Sequence, residues 1–249
     1  MSALLLFVGL ALGGVAAGTL STVTGMGGGI ALVTVLSFFF GPHAALAATA
    51  PALLVGNIHR ATSHRGAIDR PTARVFMLAA LPGAVLGGVL CVAMPNGVLA
   101  VLLVSVTALA LARSLGHLAF EVRPLWMWPF AFRAGTVAAT SGAGVIVSPM
   151  LVAGGLKGER LIATASFIAI LLHVGRLVGY GVSGLYEESA ALGGITASAF
   201  LALFLVLGNA LGDRLRARLG EARCMRLTHL TLWVSLGLSV LSLLRQLTA

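Results

Sequence analysis

From Ala3 to Phe40 the chain carries no charged side chain. A membrane span takes about 20 residues, so this run is too long for one helix. Its middle holds Gly25-Met26-Gly27-Gly28-Gly29, and consecutive glycines disfavour a helix interior. Two helices meeting at a break are therefore expected. Only 9% of the 249 residues are charged and 59% are apolar, whereas a soluble domain carries roughly a quarter charged residues. The chain reads as an all-α polytopic membrane protein with about eight helical segments and no soluble domain. Sixteen Lys and Arg against seven Asp and Glu give a net charge of +9. In a soluble chain that balance would suggest nucleic acid. Here the basic residues lie in short loops and report topology, so the expected partner is the lipid bilayer and no nucleic acid. Met1-Ser2-Ala3-Leu4 lacks a positive n-region, so no cleaved leader is expected. Cys91 and Cys224 stand far apart and read as packing residues, and no cofactor or metal is expected.

Single spans are expected near residues 44–61, 75–94 and 98–115. A second overlong segment, 126–155, is interrupted at Ser141-Gly142-Ala143-Gly144, with Pro149 beyond. Spans near 161–182, 190–211 and 227–244 complete the chain. The order is broken segment and three spans, twice. At an offset of 117, Ala17-Gly18-Thr19 falls on Ala134-Gly135-Thr136, Thr24-Gly25-Met26-Gly27 on Ser141-Gly142-Ala143-Gly144, and Gly41 on Gly158. These matches divide the chain into residues 1–116 and 117–249. Arg60, Arg65, Arg70 and Arg74 crowd one loop, and Arg214, Arg216, Arg218, Arg223 and Arg226 another; both are expected on the cytoplasmic side. Threading the spans between them requires each broken segment to return to the side it entered from. Each half then crosses an odd number of times, giving two inverted repeats, each a broken helical hairpin plus three transmembrane helices.

Discontinuous helices at matching positions point to a transport site near the membrane midplane. A broken helix exposes unpaired N–H groups and a positive dipole end where lipid solvates neither, and an anion satisfies both. The expected substrate contacts are Gly25, Gly27 and Gly28 at the first tip and Gly142 and Gly144 at the second, with hydroxyls from Thr22, Thr24, Thr140 and Ser141. Close helix packing is the other role open to the glycines, and it is preferred for Gly83 with Gly87. The seven acids, Asp69, Glu121, Glu159, Glu187, Glu188, Asp213 and Glu221, all fall in loops or at segment ends, leaving no carboxylate for a cation or a proton relay. His173 and Arg176 sit inside a span, three apart on one helix face, and are expected to supply positive potential at the site. Arg176 has snorkelling to the headgroups as its alternative role. At the same offset it falls on His59; for His59 and Arg60 a topological role is at least as well supported.

The Gly25–Gly29 break, its echo at Gly142–Gly144 with Pro149, and the loop His64-Arg65-Gly66-Ala67-Ile68-Asp69 resemble the TauE/SafE family of membrane anion permeases, often called sulfite exporters. The resemblance spans nearly the whole chain and is strongest in the first half. The chain departs from the family pattern at Thr34, where proline is usual, and at Val145-Ile146, which replace glycines. The resemblance implies two pseudo-symmetric halves and movement of sulfite, sulfonates or sulfoacetate, usually outward across the bacterial cytoplasmic membrane. An anion leaving a negative-inside cell gains about 2.3 kcal/mol per charge per 100 mV, so export needs no coupling ion. The expectation is alternating-access transport of a small oxyanion, with binding where the two hairpin tips meet. A channel for a small neutral solute is the alternative. No enzyme is expected, since spacing assembles no nucleophile and base pair, and self-association into a homo-oligomer is left open.

Overall fold

A computed structural model of the chain describes residues 3–25, 27–118, 127–142, 147–188 and 194–248. Its described helices are α1 (Ala3–Thr24), α2 (Gly28–Phe40), α3 (Pro42–Ser63), α4 (Arg70–Ala93), α5 (Asn96–Ser114), α6 (Met127–Ser141), α7 (Val147–Ala153), α8 (Gly158–Val182), α9 (Leu185–Glu188), α10 (Gly194–Arg218) and α11 (Glu221–Thr248). Six of them, α1, α4, α5, α8, α10 and α11, are long and apolar enough to cross a membrane. The chain is an all-α polytopic membrane protein. Leu230, Trp233, Val234 and Leu241 of α11 and Leu86 and Leu90 of α4 are exposed, as lipid contact requires.

The expected breaks are present: α1 ends at Thr24 and α2 starts at Gly28, while α6 ends at Ser141 and α7 starts at Val147. The span expected at 44–61 is matched in extent by α3, but with Asn57, His59 and Arg60 in its second half it is not among the six, and it is largely enclosed by its neighbours. The last two spans extend further than expected, to Arg218 in α10 and back to Glu221 in α11. Apolar runs end where arginines begin, yet arginine favours a helix, so both helices continue past the apolar zone.

Glycines set the closest helix contacts. A Cβ on Gly18 of α1 would lie 2.2 Å from the Leu205 carbonyl oxygen of α10, and one on Gly208 would lie 2.3 Å from that of Val15. The same arrangement joins α6 to α4, where a Cβ on Gly135 would lie 2.2 Å from the Ala80 oxygen and one on Gly83 2.1 Å from that of Phe132. Gly18 and Val15 fall on Gly135 and Phe132 at the offset of 117. Ala80 and Gly83 fall on Leu205 and Gly208 at 125, the second half being longer between its second and third long helices. Corresponding residues thus make corresponding contacts, each first helix lying against a helix of the other half.

Residue pairs also give the helix directions. Contacts of Gly208 with Val15 and Gly212 with Thr19 make α1 parallel to α10. Contacts of Gly83 with Phe132 and Gly87 with Thr136 make α6 parallel to α4, so Gly83 and Gly87 serve packing. The bond from Arg176 to the Leu46 oxygen near the start of α3, together with the pair His64–Glu159 beyond its end, makes α3 antiparallel to α8. His64 also meets Asp213 near the end of α10, so α3 and α10 run the same way. Gly175 lies against Leu81 and Gly179 against Gly88, aligning α8 with α4. Consequently α1, α3 and α10 run in one direction and α4, α6 and α8 in the other. One end of the bundle gathers the basic loops: His64 lies 3.0 Å from Glu159 and 3.4 Å from Asp213, Arg160 lies 2.7 Å from Asp69, and Arg216 donates to the Thr22 and Val23 oxygens at the end of α1.

Two substitutions check this packing. Gly18→Leu forces a side chain into the α10 backbone and is expected to cost about 1–3 kcal/mol or more, lowering the melting temperature in detergent. Gly9→Leu on the same helix, with nothing within 4 Å of its Cβ, should leave it unchanged. Asp69 caps α4 through the Thr72 N–H, and this bond and Arg160 hold its carboxyl below the usual carboxylate range. Asp69→Ala is expected to cost about 1 kcal/mol. Because a depressed carboxyl stabilises only while ionised, the melting difference from wild type should be full at neutral pH and shrink as the pH falls below the ordinary carboxylate range.

Candidate functional site

At the first break Gly25 has φ 71° and Gly27 φ 97°; at the second Gly142 has φ 71°. This is the left-handed region that residues with a Cβ rarely adopt, so the glycines turn the chain where helices would otherwise continue. Gly27 gives α2 no side-chain cap, and the first backbone bond across that end runs from the Ala31 N–H to the Gly27 oxygen. The N–H groups of residues 28–30 therefore have no partner within the helix.

Between the antiparallel α3 and α8 lies a cavity of about 540 Å³, its mouth included. Gly25, Gly27, Gly29 and Ile30 line it from the first break, and Gly142 from the second. Helix α3 adds Leu53, Asn57 and Arg60; α8 adds Ala165, Ser166, Ala169 and His173; Ser21 and Ser148 complete the described lining. Gly25 lies beside Ile162 near the start of α8, while Gly142 lies against Leu46 near the start of α3. Gly142 also lies against Val33 of α2, and both breaks open on this one cavity.

Of the residues nominated from sequence, Gly25, Gly27, Gly142 and His173 come together on this cavity. The other described ones are not among its lining residues. Gly28 packs on α1, where a Cβ would lie 2.1 Å from the Ala17 oxygen. Thr22 donates to Asn209 Oδ1 at 3.2 Å, and Asn209 Nδ2 donates to the Gly56 oxygen at 2.9 Å, tying α1, α10 and α3. Thr24 donates to the Leu20 oxygen, Thr140 to those of Thr136 and Val137, and Ser141 to that of Val137. Gly144 lies outside the described residues. Sequence reasoning missed Ser21, Asn57, Arg60, Ser148 and Ser166. Helical spacing carries the signal for two of them: Ser21 precedes Gly25 by four residues, and Asn57 precedes Arg60 by three.

Arg176 is 1% exposed, so it does not reach the headgroups. Its Nη2 donates to the Leu46 oxygen at 3.3 Å and its Nε to Tyr180 Oη at 3.2 Å. Tyr180 in turn donates to the Ala139 oxygen of α6 at 2.9 Å. Nη1 lies 3.2 Å from His173 Nδ1. A guanidinium only donates, so Nδ1 accepts and the ring proton resides on Nε2. Arg176 thus braces α3, α6 and α8 and fixes the tautomer that His173 presents. Arg60 differs. It contacts Asn57 Oδ1 through Nη2, but its buried Nε–H has no hydrogen-bond partner. An unpaired buried N–H costs roughly 1–3 kcal/mol, which a ligand acceptor would offset. Arg176→Ala strips donors from Leu46, Tyr180 and His173 together and is expected to cost on the order of 2–4 kcal/mol. Thermal unfolding in detergent measures this loss; a melting temperature equal to wild type would remove the bracing role.

The profile of the Sulfite exporter TauE/SafE family matches residues 10–240. No curated protein and no solved structure matches the chain. Members of the matched family are transporters, not enzymes. The match takes in both helix breaks, all the described cavity residues and both basic loops. The chain belongs to the TauE/SafE sulfite exporter family and is a multi-pass membrane transport protein.

Proposed function

We propose that the protein moves small oxyanions of the sulfite, sulfonate and sulfoacetate class outward across a bacterial cytoplasmic membrane by alternating access. The observation that carries this reading is the cavity: both helix breaks open on it, and it is lined by an arginine, a histidine and three serines with no carboxylate among its described residues. Such a surface suits an anion. Gly25, Gly27 and Gly142 let the substrate approach the backbone, and the N–H groups at the start of α2 offer donors and a positive dipole end. His173 contributes Nε2–H. Thr22, Thr24, Gly28, Thr140, Ser141 and Arg176 hold the two breaks in shape.

Two inverted repeats, residues 1–116 and 117–249, are the proposed framework. Support comes from the matched glycine contacts and from the opposite directions of α1 and α6, the first helices of the two halves. An inverted pair offers two arrangements of similar energy, open to opposite sides, around one site. Export follows from energetics, because the membrane potential favours outward movement of a negative charge.

Proteoliposomes loaded with sulfite or sulfoacetate test this reading. The expected result is an anion current that saturates with concentration; passage of a neutral solute with no anion current would replace the reading with a facilitator. Gly142→Ala places a Cβ at φ 71° and 2.5 Å from Leu46 Cδ2 and is expected to lower the current at least about ten-fold. Gly155→Ala imposes a similar φ strain in open space away from the cavity and should leave the current within about two-fold of wild type.

A further inference from the structure

We infer that Arg60, steered by Asn57, is the residue that receives the substrate's negative charge and selects for an oxyanion. This inference rests on the transport reading above and names the charge partner within that site. Arg60 is the one lysine or arginine among the described cavity residues. Arg176, the buried arginine more conspicuous in the sequence, has its three nitrogens directed to Leu46, Tyr180 and His173. Arg216 lies at the same end of the bundle as Arg60 but donates to the Thr22 and Val23 carbonyls. Among the described cavity side chains Arg60 alone carries a buried donor with no hydrogen-bond partner, Asp213 being its charged neighbour.

Asn57 makes this donor directional. Its Nδ2 donates to the Leu53 oxygen at 2.7 Å, which fixes the amide, and the opposite end, Oδ1, accepts from Arg60 Nη2. Asn57 is 3% exposed, so the arrangement is built into the wall and is no surface accident. A guanidinium held by one Nη retains Nε–H and other N–H groups as a fork, which matches two oxygens on one central atom. Besides His173, the remaining polar lining is three neutral hydroxyls, Ser21, Ser148 and Ser166, each 5% exposed or less. One cation with neutral donors fits one negative charge spread over several oxygens. A spherical halide uses only one arm of the fork.

Arg60 was open to a topological reading because it begins the basic loop run, four residues before His64. The fold separates it from that run, turning it into the bundle while Arg65 is exposed.

The test compares wild type with Arg60→Gln, Arg60→Lys, Asn57→Ala and Arg74→Gln in proteoliposomes. Currents are measured with methanesulfonate, sulfite and chloride, and folding is checked by thermal unfolding. Arg60→Gln is expected to raise the half-saturating methanesulfonate concentration at least ten-fold. Arg60→Lys keeps the charge but not the fork, so its preference for methanesulfonate over chloride should fall several-fold while current persists. Asn57→Ala, with Arg60 retained, should raise half-saturation about three-fold. Arg74→Gln removes a charge from an exposed site at the same end of the bundle and should match wild type. If Arg60→Lys is folded and keeps both wild-type half-saturation and oxyanion preference, the inference is overturned and the transport reading stands. If wild type itself carries neither oxyanion, both fall together.

Discussion

A lipid bilayer offers no hydrogen bonds to an interrupted helix, and the rest of this structure depends on that constraint. Each break needs protein or a polar cavity beside it. Here the arms around each break are enclosed by helices of the other half: α1 lies along α10, and Gly142 lies against Val33 and Leu46 of α2 and α3. That enclosure requires close backbone approach, which is why glycines recur on the helices that hold the hairpins. Gly18, Gly135, Gly83 and Gly208 face carbonyl oxygens at distances that no side chain tolerates. The glycines at the breaks do a different job, supplying a left-handed turn and unpaired N–H groups beside the cavity.

The hydroxyl groups show where sequence reasoning reaches its limit. Thr22, Thr24, Thr140 and Ser141 adjoin the breaks along the chain, and that adjacency is what nominates them. In a helix, however, a hydroxyl readily bonds the carbonyl three or four residues back. Thr24, Thr140 and Ser141 do so. Ser21, Ser148 and Ser166 reach the cavity because of how α1, α7 and α8 are rotated about their axes, a property set by packing between the halves. The breaks were legible from glycine content and the basic end from the clustering of arginines. Helix rotation was not, since nearly every face of these helices is apolar and no polar stripe distinguishes inside from outside.

Arg176 and Arg60 follow from the same argument. A charge within a span is read as functional because burial is costly, but the cost can be met in two ways. Arg176 is satisfied by a carbonyl, a phenol and an imidazole, and so becomes part of the framework. Arg60 is satisfied only in part, by Asn57 and the nearby charge of Asp213, its Nε–H keeping no hydrogen-bond partner. The degree of saturation by protein partners, more than depth, separates a structural cation from one available to a ligand. His173 links the two cases: it lines the cavity, but its tautomer is imposed from behind by Arg176.

The correspondence between halves is close in the scaffold and fails at the site. Gly18 and Gly135 occupy equivalent contacts, as do Gly83 and Gly208. Yet at the 117 offset Arg60 falls on Leu177, Arg176 on His59 and Ser21 on Ala138, and α2 has 13 residues where α7 has 7. In the proposed alternating-access cycle this division has a physical reason. The scaffold must pack comparably well in two arrangements, so that neither is favoured by more than a few kcal/mol, and repeated contacts between the halves provide for that. The substrate must be held by a single set of donors in both arrangements, so the site gains nothing from being duplicated. Leu177, at the position related to Arg60, packs against the apolar core and is not among the described lining residues, so a single arginine faces the proposed substrate there, compatible with binding strong enough for capture and weak enough for release.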